Sequence, residues 1–280
     1  MGGIGHGGNK HKAELSPSMS SQPDITEDGL LDGRIRLRQP ARGYRAGMDA
    51  ALLAAACDAR AGERVLEAGC GAGGALLAAA FRRPETLFTG LERDPAAAAL
   101  ARQNVARNAM DSRVRILEGD VQAGFRATAL PVFDAVMANP PFFDDPAELR
   151  APAPEKSGAW MADGGLEAWT GFLLKAVREG GTITVIHRAD RLADLLALLA
   201  PKAGSFRIRP VQPFADEPAK RVIVRAIKTG KAPLVLLPPL VLHDRESGGH
   251  SQAAEAFLRG TAALGWSGTV QGVPEPYSST

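Results

Sequence analysis

The stretch Arg64-Val-Leu-Glu67-Ala has the composition of a buried strand, and it passes directly into Gly69-Cys-Gly71-Ala-Gly73-Gly74 and then an apolar run from Ala75 to Phe81. Nothing else in these 280 residues restricts the fold as strongly. The pattern reads as strand, tight turn and helix. Glycines there allow the backbone to turn sharply and to approach a ligand at the helix N-terminus. Gly69, Gly71 and Gly74 satisfy G-x-G-x-x-G, the spacing of dinucleotide sites, which alone is a weak signal.

Three further apolar segments follow in the same rhythm, each ending in a polar residue. Thr86 to Glu92 reads as a strand whose terminal carboxylate lies about 20 residues past the glycine turn, the spacing of a ribose-binding acid. Pro95 then opens a helix as its first residue. Val114 to Asp120 ends in a carboxylate able to accept from an adenine amine, although Gly-Asp is also ordinary turn chemistry. Phe133 to Asn139 leads into Pro140-Pro141-Phe142. Glu67, Glu92, Asp120 and Asn139 thus stand at the carboxyl ends of successive strands, the edge where open α/β sheets bind ligands.

Asn139-Pro-Pro-Phe142 suits chemistry on a planar, weakly nucleophilic –NH2. The Asn139 amide oxygen and the Pro140 carbonyl can accept both amine hydrogens, favouring the pyramidal geometry from which nitrogen attacks. The prolines stiffen the turn, and Phe142 offers a face for stacking a base. Asn-Pro-Pro is also a plausible strand-ending turn. Glu67, two residues before the first glycine, would repel a pyrophosphate but suits the amino group of a methionine moiety. Glu67 and the Asn139 tetrad favour S-adenosylmethionine over NAD, with Glu67, Gly69, Gly71, Gly73, Glu92, Asp120 and Asn139 as the candidate cofactor set.

In this order the motifs resemble the Rossmann-fold methyltransferases that modify exocyclic amines. The resemblance extends to the bacterial tRNA-1-valine (adenine-N6)-methyltransferases through Asp32 to Pro40, Gly43 to Leu53 and Ala219 to Arg225, and it covers roughly Thr26 to Gly260. It implies a seven-stranded, mostly parallel sheet of the class I methyltransferase type, with an antiparallel C-terminal pair and an N-terminal β-hairpin. It also implies adenine N6 in tRNA as the acceptor, and a turn from Arg45 to Asp49 that closes over the cofactor's methionine end or the target base. A glutamine-directed protein methyltransferase and an rRNA or small-molecule methyltransferase remain open, as does a non-catalytic binding module.

Composition narrows the rest. A net charge of +2 and a pI of about 8.6 mean that any nucleic-acid affinity must come from a local patch. The densest one is Arg34, Arg36, Arg38, Arg42 and Arg45, five arginines in twelve residues. Asp32-Gly33 reads as a hairpin turn, with Arg34, Arg36 and Arg38 on one face of the second strand and Ile35 and Leu37 on the other. That strip is a candidate grip on RNA phosphates or else a solvated edge. Arg34, Arg36, Arg38, Arg45, Asp49 and Phe143 form the candidate substrate set, and Asp49 is equally placed to cap the helix expected over 48–59.

Residues 143–165 read as a substrate-facing loop carrying Trp160, and Leu166 to Glu179 as a helix with Trp169 in the core. A strand over 182–187, a helix over 189–203, antiparallel strands over 206–214 and 221–229, and a short strand and helix over 234–258 complete the domain. Residues 1–24 read as a disordered tail, 25–262 as the methyltransferase domain and 263–280 as a loose end. Cys57 and Cys70 suggest reduced thiols, and His187 and His243 each stand alone, so no metal site is expected. The segment Leu234 to Leu242, broken by Pro238 and Pro239, is too short to span a bilayer, and no targeting signal is legible. A cytoplasmic monomer or weak dimer acting on RNA is the expectation.

Overall fold

The computed structural model describes residues 25–41, 46–141 and 165–267. The expected tail over 1–24, the loop over 143–164 and the segment 268–280 lie outside the described residues.

A two-stranded hairpin, β1 (Ile25–Leu30) and β2 (Ile35–Pro40), precedes the main sheet. Along the chain follow α1 (Met48–Ala56), β3 (Arg64–Ala68), α2 (Gly74–Arg82), β4 (Leu87–Glu92), α3 (Pro95–Arg107), β5 (Val114–Glu118) and β6 (Phe133–Ala138). Then come α4 (Gly165–Ala176), β7 (Val177–Arg188), α5 (Leu192–Leu199), β8 (Ala203–Gln212) and β9 (Arg221–Lys228). The two-residue strands β10 (Val235–Leu236) and β11 (Leu240–Val241) and the helix α6 (Gln252–Leu258) end the series.

The sheet order is β5-β4-β3-β6-β7-β9-β8-β10, with β11 also on β8. β3 to β7 are parallel, and β9 runs antiparallel between β7 and β8. The order reverses between β3 and β6, so the crevice at that switch point opens where β3 and β6 end. The sheet is therefore the expected seven strands plus two short additions, which the prolines at 238 and 239 keep to two residues each.

Side chains alternate across the sheet with period two. Val65, Ala135, Met137 and Ile186 face the layer of α1, α2, α3 and the hairpin. Leu66, Val136, Ala138 and Val185 face α4 and α5. Burial on both faces explains why these strands read as continuous apolar runs. Ala50 to Ala56 are all buried, so α1 is an interior helix with no polar face.

Several boundaries differ from the sequence expectation. The helix over 166–179 ends at Ala176, and β7 starts at Val177 with a register shift against β6. Gly180 has φ +73°, and a Cβ at Gly181 would lie 2.6 Å from the Asp134 carbonyl, so only glycines permit this irregular start. The helix over 189–203 is a 3₁₀ turn at 189–191 followed by α5, and β8 begins at Ala203 rather than at 206. Residues 263–266, expected to be loose, are fastened. Leu264 N–H donates to the Ala55 carbonyl, Trp266 Nε1 to that of Ala56, and Arg209 Nη2 to that of Gly265.

Two asparagines that the sequence reading passed over attach the hairpin. Asn104 of α3 is fully buried; its Oδ1 accepts from Arg38 N–H at 2.8 Å, and its Nδ2 donates to the Arg38 carbonyl at 2.8 Å and to the Ala72 carbonyl at 2.9 Å. Asn108 exchanges the equivalent bonds with Arg36. The two carboxamides imitate a neighbouring strand and satisfy β2 on that edge. Asn104 also ties the hairpin to the glycine turn. Asn104→Ala leaves three part-buried backbone groups without this partner, and a loss of about 1–3 kcal/mol in denaturant-induced unfolding is expected. An unchanged midpoint would show that water replaces the carboxamide.

Candidate functional site

Parallel register brings the candidate residues together at the switch point. Ala68 pairs with Ala138, so the next residues, Gly69 and Asn139, lie side by side beyond the ends of β3 and β6. On the other flank Glu92 pairs with Glu118, and Asp120 stands two residues further on. Asn139 is half-buried, Pro140 buried and Pro141 exposed. Phe142, Phe143 and Arg45 lie outside the described residues, as does Trp160.

The glycine turn owes its shape to local geometry. Gly69, Gly71 and Gly73 have φ of +70°, +54° and +89°, the left-handed region that glycine enters without strain. Gly69 has a second reason to lack a side chain: an added Cβ would lie 2.4 Å from the Trp169 ring. Trp169, 8% exposed, is the core residue the sequence suggested and also the wall beneath the turn. An added Cβ at Gly71 meets nothing within 4 Å, so the space beside it is open.

The carboxylates differ in what they already do. Glu92 accepts from Gly71 N–H at 2.8 Å through one oxygen and from Asp94 N–H at 2.9 Å through the other, fixing the turn while keeping lone pairs for a ligand. Asp120 accepts from Gln122 N–H at 2.8 Å and caps the 3₁₀ turn 121–123. Glu67 is 3% exposed, and its Oε2 has no hydrogen-bond partner among the described residues. Burial pushes its carboxyl well above the usual carboxylate range; the nearby charge of Glu92 adds to this, and the Leu76 amide at the start of α2 only partly opposes it. An acidic pair of this kind at an open turn is the environment for a ligand with cationic groups. S-adenosylmethionine, with its ammonium and sulfonium, fits it.

Asp49 does not cap α1. Gly47 holds that position without a side-chain bond, and Asp49 lies within the first turn, paired with Arg221 Nε of β9 at 3.0 Å. A Cβ at Gly74 would lie 2.2 Å from that of Ala46, so the segment before α1 rests on the start of α2. The arginine strip is also rearranged. Arg34 sits in the hairpin turn, donating to the carbonyls of Leu31 and Arg259 and lying over the Phe81 ring. Arg38 is paired with Glu27 at 2.9 Å, while Arg36 is exposed.

Cys57 and Cys70 are buried free thiols, that of Cys57 pushed up to about 11 chiefly by burial. His187 is buried at the end of β7 and held neutral, its pKa lowered to about 4 chiefly by desolvation. His243, expected to stand alone, stacks on His250 at 4.9 Å. No cluster of three potential metal ligands occurs among the described residues, and none of their helices is long and apolar enough to cross a membrane.

The raised carboxyl of Glu67 has a consequence for stability, and its sign is the reverse of the common carboxylate case. As pH climbs above 4.5, the ordinary value, the ligand-free fold must bury a charge or hold a proton that the unfolded chain releases. Glu67→Gln is therefore expected to unfold at a higher temperature than wild type at pH 8, with the gap closing by about pH 4, and to bind S-adenosylmethionine about 10–100-fold more weakly. Parallel melting curves at both pH values would contradict this.

Comparison with known proteins agrees with the geometry. Residues 45–152 match the family model of the methyltransferase small domain. A tRNA1(Val) (adenine(37)-N6)-methyltransferase of Yersinia enterocolitica is 30% identical over 74% of this chain and 81% of its own length. One from Haemophilus influenzae is 30% identical over 82% and 95%. The crystal structure of a predicted O-methyltransferase from Agrobacterium tumefaciens is 28% identical, covers 77% of this chain and 98% of its own, and superposes with a TM-score of 0.66. The cofactor is S-adenosylmethionine. With a Rossmann-like sheet, a glycine turn over buried Glu67 and half-buried Glu92, and relatives aligned over most of both lengths, the chain belongs to the tRNA1(Val) (adenine(37)-N6)-methyltransferase family.

Proposed function

We propose that the protein transfers a methyl group to N6 of an adenine in a tRNA. The observation that carries this reading is the placement of Asn139-Pro140 beside the glycine turn, one residue beyond the paired Ala68 and Ala138. S-adenosylmethionine supplies an electrophilic methyl when bound. Glu67, Glu92, Asp120 and the backbone of residues 69–73 would hold it.

The remaining chemistry belongs to the chain. The Asn139 carboxamide oxygen and the Pro140 carbonyl accept the two hydrogens of the adenine amine and hold its nitrogen lone pair toward the cofactor side of the crevice. Positive charge grows on that nitrogen during attack, so these acceptors bind the transition state more tightly than the ground state. Alignment alone can supply roughly 7–11 kcal/mol. The amine becomes strongly acidic once alkylated, and water or a backbone carbonyl can take its proton, so the transfer needs no general base. The adenine must leave its stack to enter the crevice, which costs a few kcal/mol in a paired helix and less in a loop. An anticodon-loop nucleotide fits that requirement, and the relatives are named for adenine 37 of tRNA1(Val).

The direct test is labelled S-adenosylmethionine with separate pools of tRNA, rRNA, DNA and release-factor protein, followed by nucleoside mass spectrometry. N6-methyladenosine in the tRNA pool is the expected product. Label in release factor alone would establish a glutamine acceptor instead. Asn139→Ala is expected to lower kcat by about 10²–10³-fold with cofactor affinity nearly unchanged.

Asp49 enters this reading through its pairing with Arg221. The pair ties the first turn of α1, which follows the segment resting on Gly74, to β9 at the carboxyl edge. Asp49→Ala and Arg221→Ala are each expected to lower kcat/KM about threefold to fivefold, and the double variant no further. Strictly additive losses would mean that the two residues act separately.

A further inference from the structure

Arg107 of α3 is absent from the linear arginine strip, yet the fold brings it there. Glu27 Oε1 on β1 accepts from Arg38 Nε at 2.9 Å and from Arg107 Nη2 at 2.6 Å. Arg36 lies two residues before Arg38 on the same strand and so shares its outer face, about 6.6 Å along. It is exposed, and no carboxylate pairs with it among the described residues. The inner face carries Asp28, bonded to Gln39 Nε2 at 2.8 Å and so directed away from the patch. Three guanidinium charges against one carboxylate leave a local excess of two.

Exposed ion pairs contribute little to stability, so two arginines sharing one carboxylate, with a third on the same face unpaired among the described residues, are poorly explained as a staple. Glu27 keeps two planar forks at a common point, its own carboxyl held below the usual range first by the Arg38 hydrogen bond. Such a set suits a chain of repeated anions, because guanidinium binds phosphate oxygens bidentately. The patch also abuts the site: Asn104 bonds both to the Arg38 backbone and to Ala72 in the glycine turn. Arg34, committed to two carbonyls and a ring at the far end of the hairpin, does not belong to it.

We infer that Arg38 and Arg107, held together by Glu27, and Arg36 on the same outer face grip the phosphodiester backbone of the RNA substrate beside the cofactor turn. This rests on the RNA reading above. The test is equilibrium binding of unmodified tRNA to the full chain at several salt concentrations, with methyl transfer by wild type measured in parallel. Arg107→Ala and Arg36→Ala should each weaken binding severalfold and reduce the log–log salt slope by about 1. Glu27→Gln should tighten binding and steepen the slope, which loss of a structural contact would not do. Arg34→Ala should leave the slope unchanged.

If wild type methylates tRNA while Arg107→Ala and Glu27→Gln keep the wild-type slope, the patch is wrong and the proposed activity stands. If no RNA pool accepts methyl, the activity fails and the patch with it.

Discussion

Two carboxylates close together at the carboxyl edge, one buried with no partner for its second oxygen among the described residues, set the terms for the rest of this molecule. Glu67 sits where desolvation and Glu92 both disfavour its charge, and the Leu76 amide offsets only part of that. A stability-driven sequence has little reason to place it there. The arrangement makes sense when the charge is used in binding, and the surrounding fold holds it in position. Gly69 yields space to Trp169, Glu92 fixes the turn through the Gly71 amide, and Asn104 anchors the turn to the hairpin.

The switch point explains why acid and amide residues from separate strands converge. β3 and β6 are adjacent but distant in sequence, and parallel register carries Gly69 and Asn139 to the same level. The C-terminal segment is fastened to the ends of α1 and α2 and to β8. Arg82, buried beneath α6, donates to the carbonyls of Phe257 and Ala262, and Arg209 donates to those of Pro238 and Gly265. Arginine forks thus fasten the C-terminal segment, and the close approach of α1 and α2 is possible because both are rich in alanine.

Much of the fold was legible in linear order, because strand period, glycine turns and proline positions are local signals. The strands over 64–68, 87–92, 114–118 and 133–138 fall where the apolar runs lie, and Asp94-Pro95 opens α3 with the Asp94 carboxylate accepting from Ala96 N–H. The errors lie where local and tertiary preferences diverge. The stretch 177–179 reads as a helix end, but it belongs to β7, which pairs with β6 through a glycine irregularity. Residues 263–266 read as loose because their anchors are carbonyl bonds to distant side chains and backbone, which leave no periodic trace.

The amino-acid order by itself determined the Rossmann-like class, the glycine turn and the succession Glu67, Glu92, Asp120 and Asn139, because each is a short-range pattern. Only the tertiary structure decided which charges are committed. Arg34 is bonded across 225 residues to Arg259, Asp49 across 172 to Arg221, and Glu27 across 80 to Arg107. Electrostatic pairing depends on distance in space, and separation along the chain carries no information about it. The three described arginines of the strip therefore became one structural fork, one ion pair and one exposed guanidinium, joined by Arg107 from a different helix.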